Sequence, residues 1–158
     1  MCAQLKGTLA IRRALPSEAG SLTQVALRSK AHWGYDDSFM ARVAHMLTIS
    51  EVYVAQWPVF VAQLDDEIVG FYGLRDTEGT LYLTDLWILP QHIGSGLGRQ
   101  LWNHAVDQVR LLKRKGFLIA ADPNAEPFYL RMGARRVGET DGGAGRMIPL
   151  MRFDLSDR

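Results

Sequence analysis

The chain has 158 residues, 47% of them hydrophobic and 22% charged, with a formal net charge of +1 at pH 7. That hydrophobic share excludes a disordered chain, and the near-neutral balance offers nucleic acid or a membrane surface none of the basic excess each calls for. One domain spanning residues 1–158 is expected, with residues 1–6 disordered. Cys2 is the single cysteine, so no internal disulfide can form and nothing points to an oxidising compartment. The first apolar patch is too short and interrupted for a signal peptide, and no apolar run approaches the ~18 residues of a membrane helix. A cytoplasmic protein is expected. His32, His45, His92 and His104 lack metal-ligand spacing, so no metal site is expected.

In chain order, "TLAIRRA" reads as a first strand, and Pro16 with Ser17 opens a first helix. A second helix starts near Asp36, Asp37 or Ser38 and carries Phe39, Val43, Met46 and Leu47 on one side. "PVFVAQL" and "EIVGFYGL", joined at Asp65 and Asp66, are followed by a turn at "DTEGT" and then "LYLTDLWILP", which predicts an antiparallel meander. The last of these runs shows little alternation, as expected for a strand buried on both faces, and Pro90 ends it.

The next helix places Leu101, Ala105, Val109 and Leu112 on one face, with Gly116 expected at its C-terminal cap. "FLIAA" then predicts a strand parallel to the one before the helix. Asn124 suits the N-cap of a short helix through Tyr129 and Met132. "ARRVGE", a flexible link "TDGGAG" and "RMIPLMRFDL" complete a final antiparallel pair. The predicted order is β-α-α-β-β-β-α-β-α-β-β.

Gly94, Gly96 and Gly98 stand at alternate positions between strand and helix, where free backbone N–H groups meet the positive end of the helix dipole. This suits an anion; a tight turn that only packs the helix is the plainer alternative. A dinucleotide fingerprint fails at Arg99, and no G-K-S or G-K-T follows for a Walker loop.

"DLWILPQHIGSGLGRQLW" resembles the acetyl-CoA signature of the GNAT superfamily of N-acetyltransferases. "PVFVAQLDDEIVGFYGL" and "ADPNAEPFYLRMGA" resemble that family's central hairpin and second motif, in the right order across nearly the whole chain. One departure is Ile93, where the family usually has arginine or glutamine. The resemblance implies an α/β (α+β) fold: a mixed, mainly antiparallel sheet with a parallel splayed pair and about four helices. It also implies acetyl-CoA as cosubstrate, without a metal. Backbone N–H groups of Gly94, Ser95, Gly96, Leu97, Gly98 and Arg99 would hold the pyrophosphate. The main chain of Leu86, Trp87 and Ile88 would bond the pantetheine arm, with Asn124 as a further contact.

The resemblance gives Tyr129 the general acid's place, against the alternative of an aromatic that only packs its helix. Asp85 is the candidate base, with Thr84 as its neighbour for the inward place. An ordinary aspartate at ~3.9 is a feeble base for an ammonium near ~10 unless burial raises it. For the acceptor, Trp33, Tyr35 and Asp36 in "RSKAHWGYDDSF" offer aromatic walls and a carboxylate, although Trp33 could be core and Asp36 or Asp37 a helix cap. Arg146 could add a rim. The expected activity is direct acetyl transfer to a primary amine of a small molecule or peptide. A non-catalytic CoA-binding or sensor domain is the alternative, followed by a phosphate-binding module, and a homodimer is compatible with either.

Overall fold

The computed structural model describes residues 6–156, so Cys2 and most of the stretch expected to be disordered lie outside the described residues. Among the described residues, seven strands form a single sheet in the order β1-β2-β3-β4-β5-β7-β6. The strands are β1 (Leu9–Arg13), β2 (Val59–Leu64), β3 (Glu67–Thr77), β4 (Thr80–Ile88), β5 (Gly116–Ala120), β6 (Arg135–Asp141) and β7 (Met147–Asp154). Only β4 and β5 pair in parallel, and the other neighbours are antiparallel. The mixed sheet and its single parallel pair agree with expectation.

Helices α1 (Ala19–Ala31), α2 (Asp37–Leu47) and α3 (Glu51–Gln56) connect β1 to β2. Each has a local reason to start. Glu18 takes the Leu15 N–H and a two-pronged bond from Arg12 just before α1. Asp36 accepts from the Phe39 N–H at 2.7 Å, and Ser50 from the Tyr53 N–H at 3.1 Å, which caps α2 and α3. The third helix adds an element that the sequence pattern does not show: six residues are too few for a helical period to stand out.

Helix α4 (Leu97–Leu111) buries Leu97, Leu101, Trp102, Ala105, Val106 and Val109. Two expectations are corrected at its end. Leu112 is exposed, and the left-handed position belongs to Lys113 (φ 57°), not Gly116. Gly116 begins β5, where a Cβ would lie 2.4 Å from the Phe153 carbonyl oxygen. Close approach of β5 to β7, not a helix cap, is its physical reason.

A short helix α5 (Glu126–Arg131) follows β5, and its entry is also corrected. Asp122, not Asn124, caps the preceding turn, accepting from the Asn124 N–H at 2.8 Å. The link between β6 and β7, expected as flexible, is a closed turn: Gly142 N–H donates to the Arg146 carbonyl at 2.9 Å. A Cβ on Gly143 would meet the Met46 sulfur at 2.4 Å, so this turn rests on α2.

Gly70 and Tyr72 of β3 face α4, while Gly73 faces α3, which puts the two helices on opposite sides of the sheet. Leu101 is fully buried, packed over Gly70 beside β4. Leu101→Ala is expected to cost about 2–5 kcal/mol in urea unfolding. A loss below about 1 kcal/mol would show that this contact does not anchor α4.

Candidate active site

A parallel pair in the middle of a sheet ordinarily runs paired along its length, but β4 and β5 are in register only at Tyr82 and Leu118. Beyond that point the strands part around a cavity of about 810 Å³, walled by Leu83 to Ile88 on one side and Ile119 and Ala120 on the other. Main-chain groups of β4 turned away from β3 therefore have no strand partner here. Leu86, Trp87 and Ile88 all stand on this wall.

The glycine loop forms one end of the cavity, where Gly94, Gly96, Gly98 and Arg99 reach its wall. Gly94 (φ 83°) and Gly96 (φ 87°) take left-handed backbone that other residues adopt only at a cost. Gly98 acts differently: a Cβ there would press on the Phe128 ring at 3.1 Å and Ile88 at 3.2 Å. Turn and packing are thus divided among the three. Ser95 braces the loop through its hydroxyl, which donates to the His92 carbonyl at 2.6 Å, and Leu97 is buried beneath it. Among the described residues, the N–H groups of Gly94, Gly96, Gly98 and Arg99 have no internal partner. At the start of a 15-residue helix they form a ready anion cradle. Ile93 is exposed on the same wall and contributes an apolar surface only.

Asp85 occupies the middle of the cleft, where a bulge helps to aim it. Gly73 pairs with Asp85 and Leu74 with Leu83, leaving Thr84 as the extra residue on β4. Asp85 is 8% exposed, and its carboxylate accepts from the Tyr53 hydroxyl and the Trp87 indole N–H, each at 2.9 Å. Burial raises its pKa, against the pull of these two donors. Tyr53 reaches it because Gly73 has no side chain: a Cβ would lie 1.8 Å from the Tyr53 oxygen. Burial raises the Tyr53 hydroxyl strongly as well, with the neighbouring Asp85 charge next in effect, so it stays a donor. No short-range signal in the sequence links Tyr53, Gly73 and Asp85.

Tyr129 borders the cleft, and among the described residues no group engages its hydroxyl. Burial, followed by the charges of Asp85 and Asp122, raises its pKa, which keeps the phenol protonated. Trp33 lies half-exposed on the wall. Asp36 has a different place: its carboxylate caps α2. Tyr35 joins a polar cluster that sequence reasoning missed. Lys30 and Asp122, whose side chains are each 7% exposed, form a buried ion pair across 92 positions of sequence. The Tyr35 hydroxyl donates to Asp122 at 3.0 Å and accepts from Asn124 Nδ2 at 3.1 Å. Burial alone would raise Asp122, but bonds from Lys30, the Asn124 N–H and Tyr35 together hold it below the usual carboxylate range.

Among the described residues, no three His, Cys, Asp or Glu side chains gather as a metal site, and no helix is long and apolar enough to cross a membrane.

The family model "Acetyltransferase (GNAT) domain" matches residues 40–155. The 5-NmdU N-acetyltransferase of Pseudomonas phage PaMx11 is 31% identical over 141 residues, covering 87% of this chain and 94% of that protein. PaiA N-acetyltransferase from Thermoplasma acidophilum, solved in complex with coenzyme A, superposes with a TM-score of 0.79 at 15% identity, covering 94% of this chain and 99% of that one. A GNAT family acetyltransferase from Brucella melitensis, solved in complex with acetyl-CoA, gives a TM-score of 0.68 at 17% identity, covering 96% and 90%. With a sheet parted at β4, a glycine cradle at its mouth and these likenesses, the chain belongs to the GNAT superfamily and is an N-acetyltransferase.

Proposed function

We propose that this enzyme moves an acetyl group from acetyl-CoA directly to a primary amine within a ternary complex, as a cytoplasmic protein with no metal. The observation that carries the reading is the β4 main chain from Leu83 to Ile88, paired with β3 but left without a strand partner on its β5 side, and leading to a cradle of free N–H groups. An arm bearing amides along its length and a pyrophosphate at its end suits both features. Leu86, Trp87 and Ile88 would bond the arm as a neighbouring strand does, and Gly94 to Arg99 would hold the pyrophosphate. Asn124, on the opposite wall, would be a further contact to the arm.

Transfer joins the amine nitrogen to the acetyl carbon and breaks the carbon–sulfur bond, leaving coenzyme A thiol. The attacking amine must first lose a proton, and Asp85 is the group on the cleft best suited to take it. Its raised pKa narrows the gap to an ammonium near ~10. The N–H of Trp87 or Ile88 would support the oxygen of the tetrahedral centre. Tyr129 would give its proton to the departing thiolate and recover one from solvent. The amine named in the phage relative, 5-NmdU, heads the panel of acceptors to try, alongside small primary amines and peptides.

Release of free thiol from acetyl-CoA in the presence of an acceptor amine is the direct assay, and Tyr129→Phe is expected to lower kcat by about 10²-fold with little change in CoA affinity. Unchanged turnover would remove Tyr129 as the acid.

Asp85→Asn is expected to lower kcat/KM by a similar ~10²-fold, and it also reports on stability. The folded protein holds the Asp85 proton more tightly than the unfolded chain, whose value is ~3.9. Wild type therefore loses stability relative to the Asn variant as pH rises from about 4 through the raised folded value, and no more beyond it. Asn can still accept from Trp87 and donate to the Tyr53 oxygen. Melting curves from pH 4 to pH 8 should show the Tm of the variant minus that of wild type rising with pH; a difference that falls instead would refute a raised Asp85.

A further inference from the structure

Arg146 is a half-buried cation on the cleft that the protein leaves only partly satisfied. Its guanidinium has five N–H donors. Nη1 donates to the Tyr35 hydroxyl at 3.0 Å, Nη2 lies 3.9 Å from Asp122, beyond hydrogen-bond reach, and the buried Nε has no partner among the described residues. Asp122 cannot neutralise it, because that carboxylate is already joined to Lys30. Two cations thus face one carboxylate.

Arg146 is nonetheless held firmly. Its Cζ stands 4.7 Å from the Phe39 ring centroid and 5.2 Å from that of Tyr35, and these two rings are themselves stacked at 4.3 Å. The closed turn between β6 and β7, resting on Met46, fixes its backbone. A guanidinium positioned by aromatic faces keeps its in-plane donors for something else. Asp141, on the same hairpin, accepts from the Gly143 N–H at 2.8 Å, and Arg99 and Arg131 stand on α4 and α5. The rest of the wall near the hairpin and α2 is apolar, through Val43, Met46, Leu47 and Ile148.

We infer that Arg146, on its Tyr35–Phe39 platform and backed by Lys30, binds an anionic oxygen group, carboxylate or phosphate, carried by the acceptor on an apolar body. This names the acceptor class for the amine transfer proposed above and rests on that reading. The amine end would lie toward Asp85 and the anion at Arg146. The cluster thereby sets specificity and takes no part in the chemistry.

The test compares 4-(aminomethyl)benzoate and 4-(aminomethyl)benzyl phosphate with neutral 4-methylbenzylamine, in wild type, Arg146→Met and the charge-keeping Arg146→Lys. Thiol release gives kcat/KM, and calorimetry on the CoA-saturated protein gives each amine's Kd whether or not it is turned over. At least one anionic amine should be favoured by about 30-fold or more over the neutral one in wild type. That preference should collapse to within about threefold in Arg146→Met and partly return in Arg146→Lys, while the CoA Kd moves less than threefold. The better of the two anions identifies carboxylate or phosphate. Equal treatment of charged and neutral amines in wild type overturns the inference and leaves the transfer reading standing. A raised CoA Kd with the preference intact overturns it in favour of a coenzyme contact. Arg146-dependent binding of the anionic amine without thiol release supports the subsite and counts against the transfer reading.

Discussion

Everything at this site follows from a strand that has a neighbour on one side only. A buried backbone group without a partner costs about as much as a lost hydrogen bond, so a sheet that parts in its interior must find other partners for those groups. Here the parting begins beyond Tyr82 and Leu118, and the helix on each side of the sheet remains packed. Helix α4 seals one face through Leu101 and Trp102, while α3 supports the other beneath Asp85. The opening is therefore a rigid feature of the fold and not a frayed edge.

Two of the carboxylates that line this opening, Asp122 and Asp85, are treated in opposite ways. Asp122 is met by an ammonium, a phenol and a backbone N–H, which keep it ionised. Asp85 receives only neutral donors, and burial lifts its pKa. Environments that drive two acids apart assign them different work. One fixes α1, the turn after it and the segment after β5 around the cavity; the other, on the proposed reading, receives the proton of the amine.

Much of this was legible in the sequence where the signal is local or periodic. The meander, the long helix α4, the glycine loop and the position of Tyr129 on a short helix all have short-range signatures, and they carry the resemblance. What escaped was long-range or sterically negative. Lys30 and Asp122 are 92 positions apart, and nothing near either residue announces the other. Gly73 reads as an ordinary strand glycine, yet its missing Cβ is what lets Tyr53 touch Asp85. Helix α3 was too short to show a period, and the cap expected at Asn124 belongs to Asp122, because a Pro-containing turn intervenes before α5. The sequence admits Asp36 both as an acceptor contact and as a cap, and only the geometry places its carboxylate on the Phe39 N–H.

The contact of Gly98 with Phe128 fixes a length. Phe128 neighbours Tyr129 on α5, and Gly98 lies in the first turn of α4, so the van der Waals contact between them couples the anion cradle to the phenol as two ends of one gauge. A ligand that fills both ends must have a backbone of matching span. On the proposed reading, the fold measures its donor by the distance from phosphate to sulfur, and the smallest side chain in the loop sets the scale.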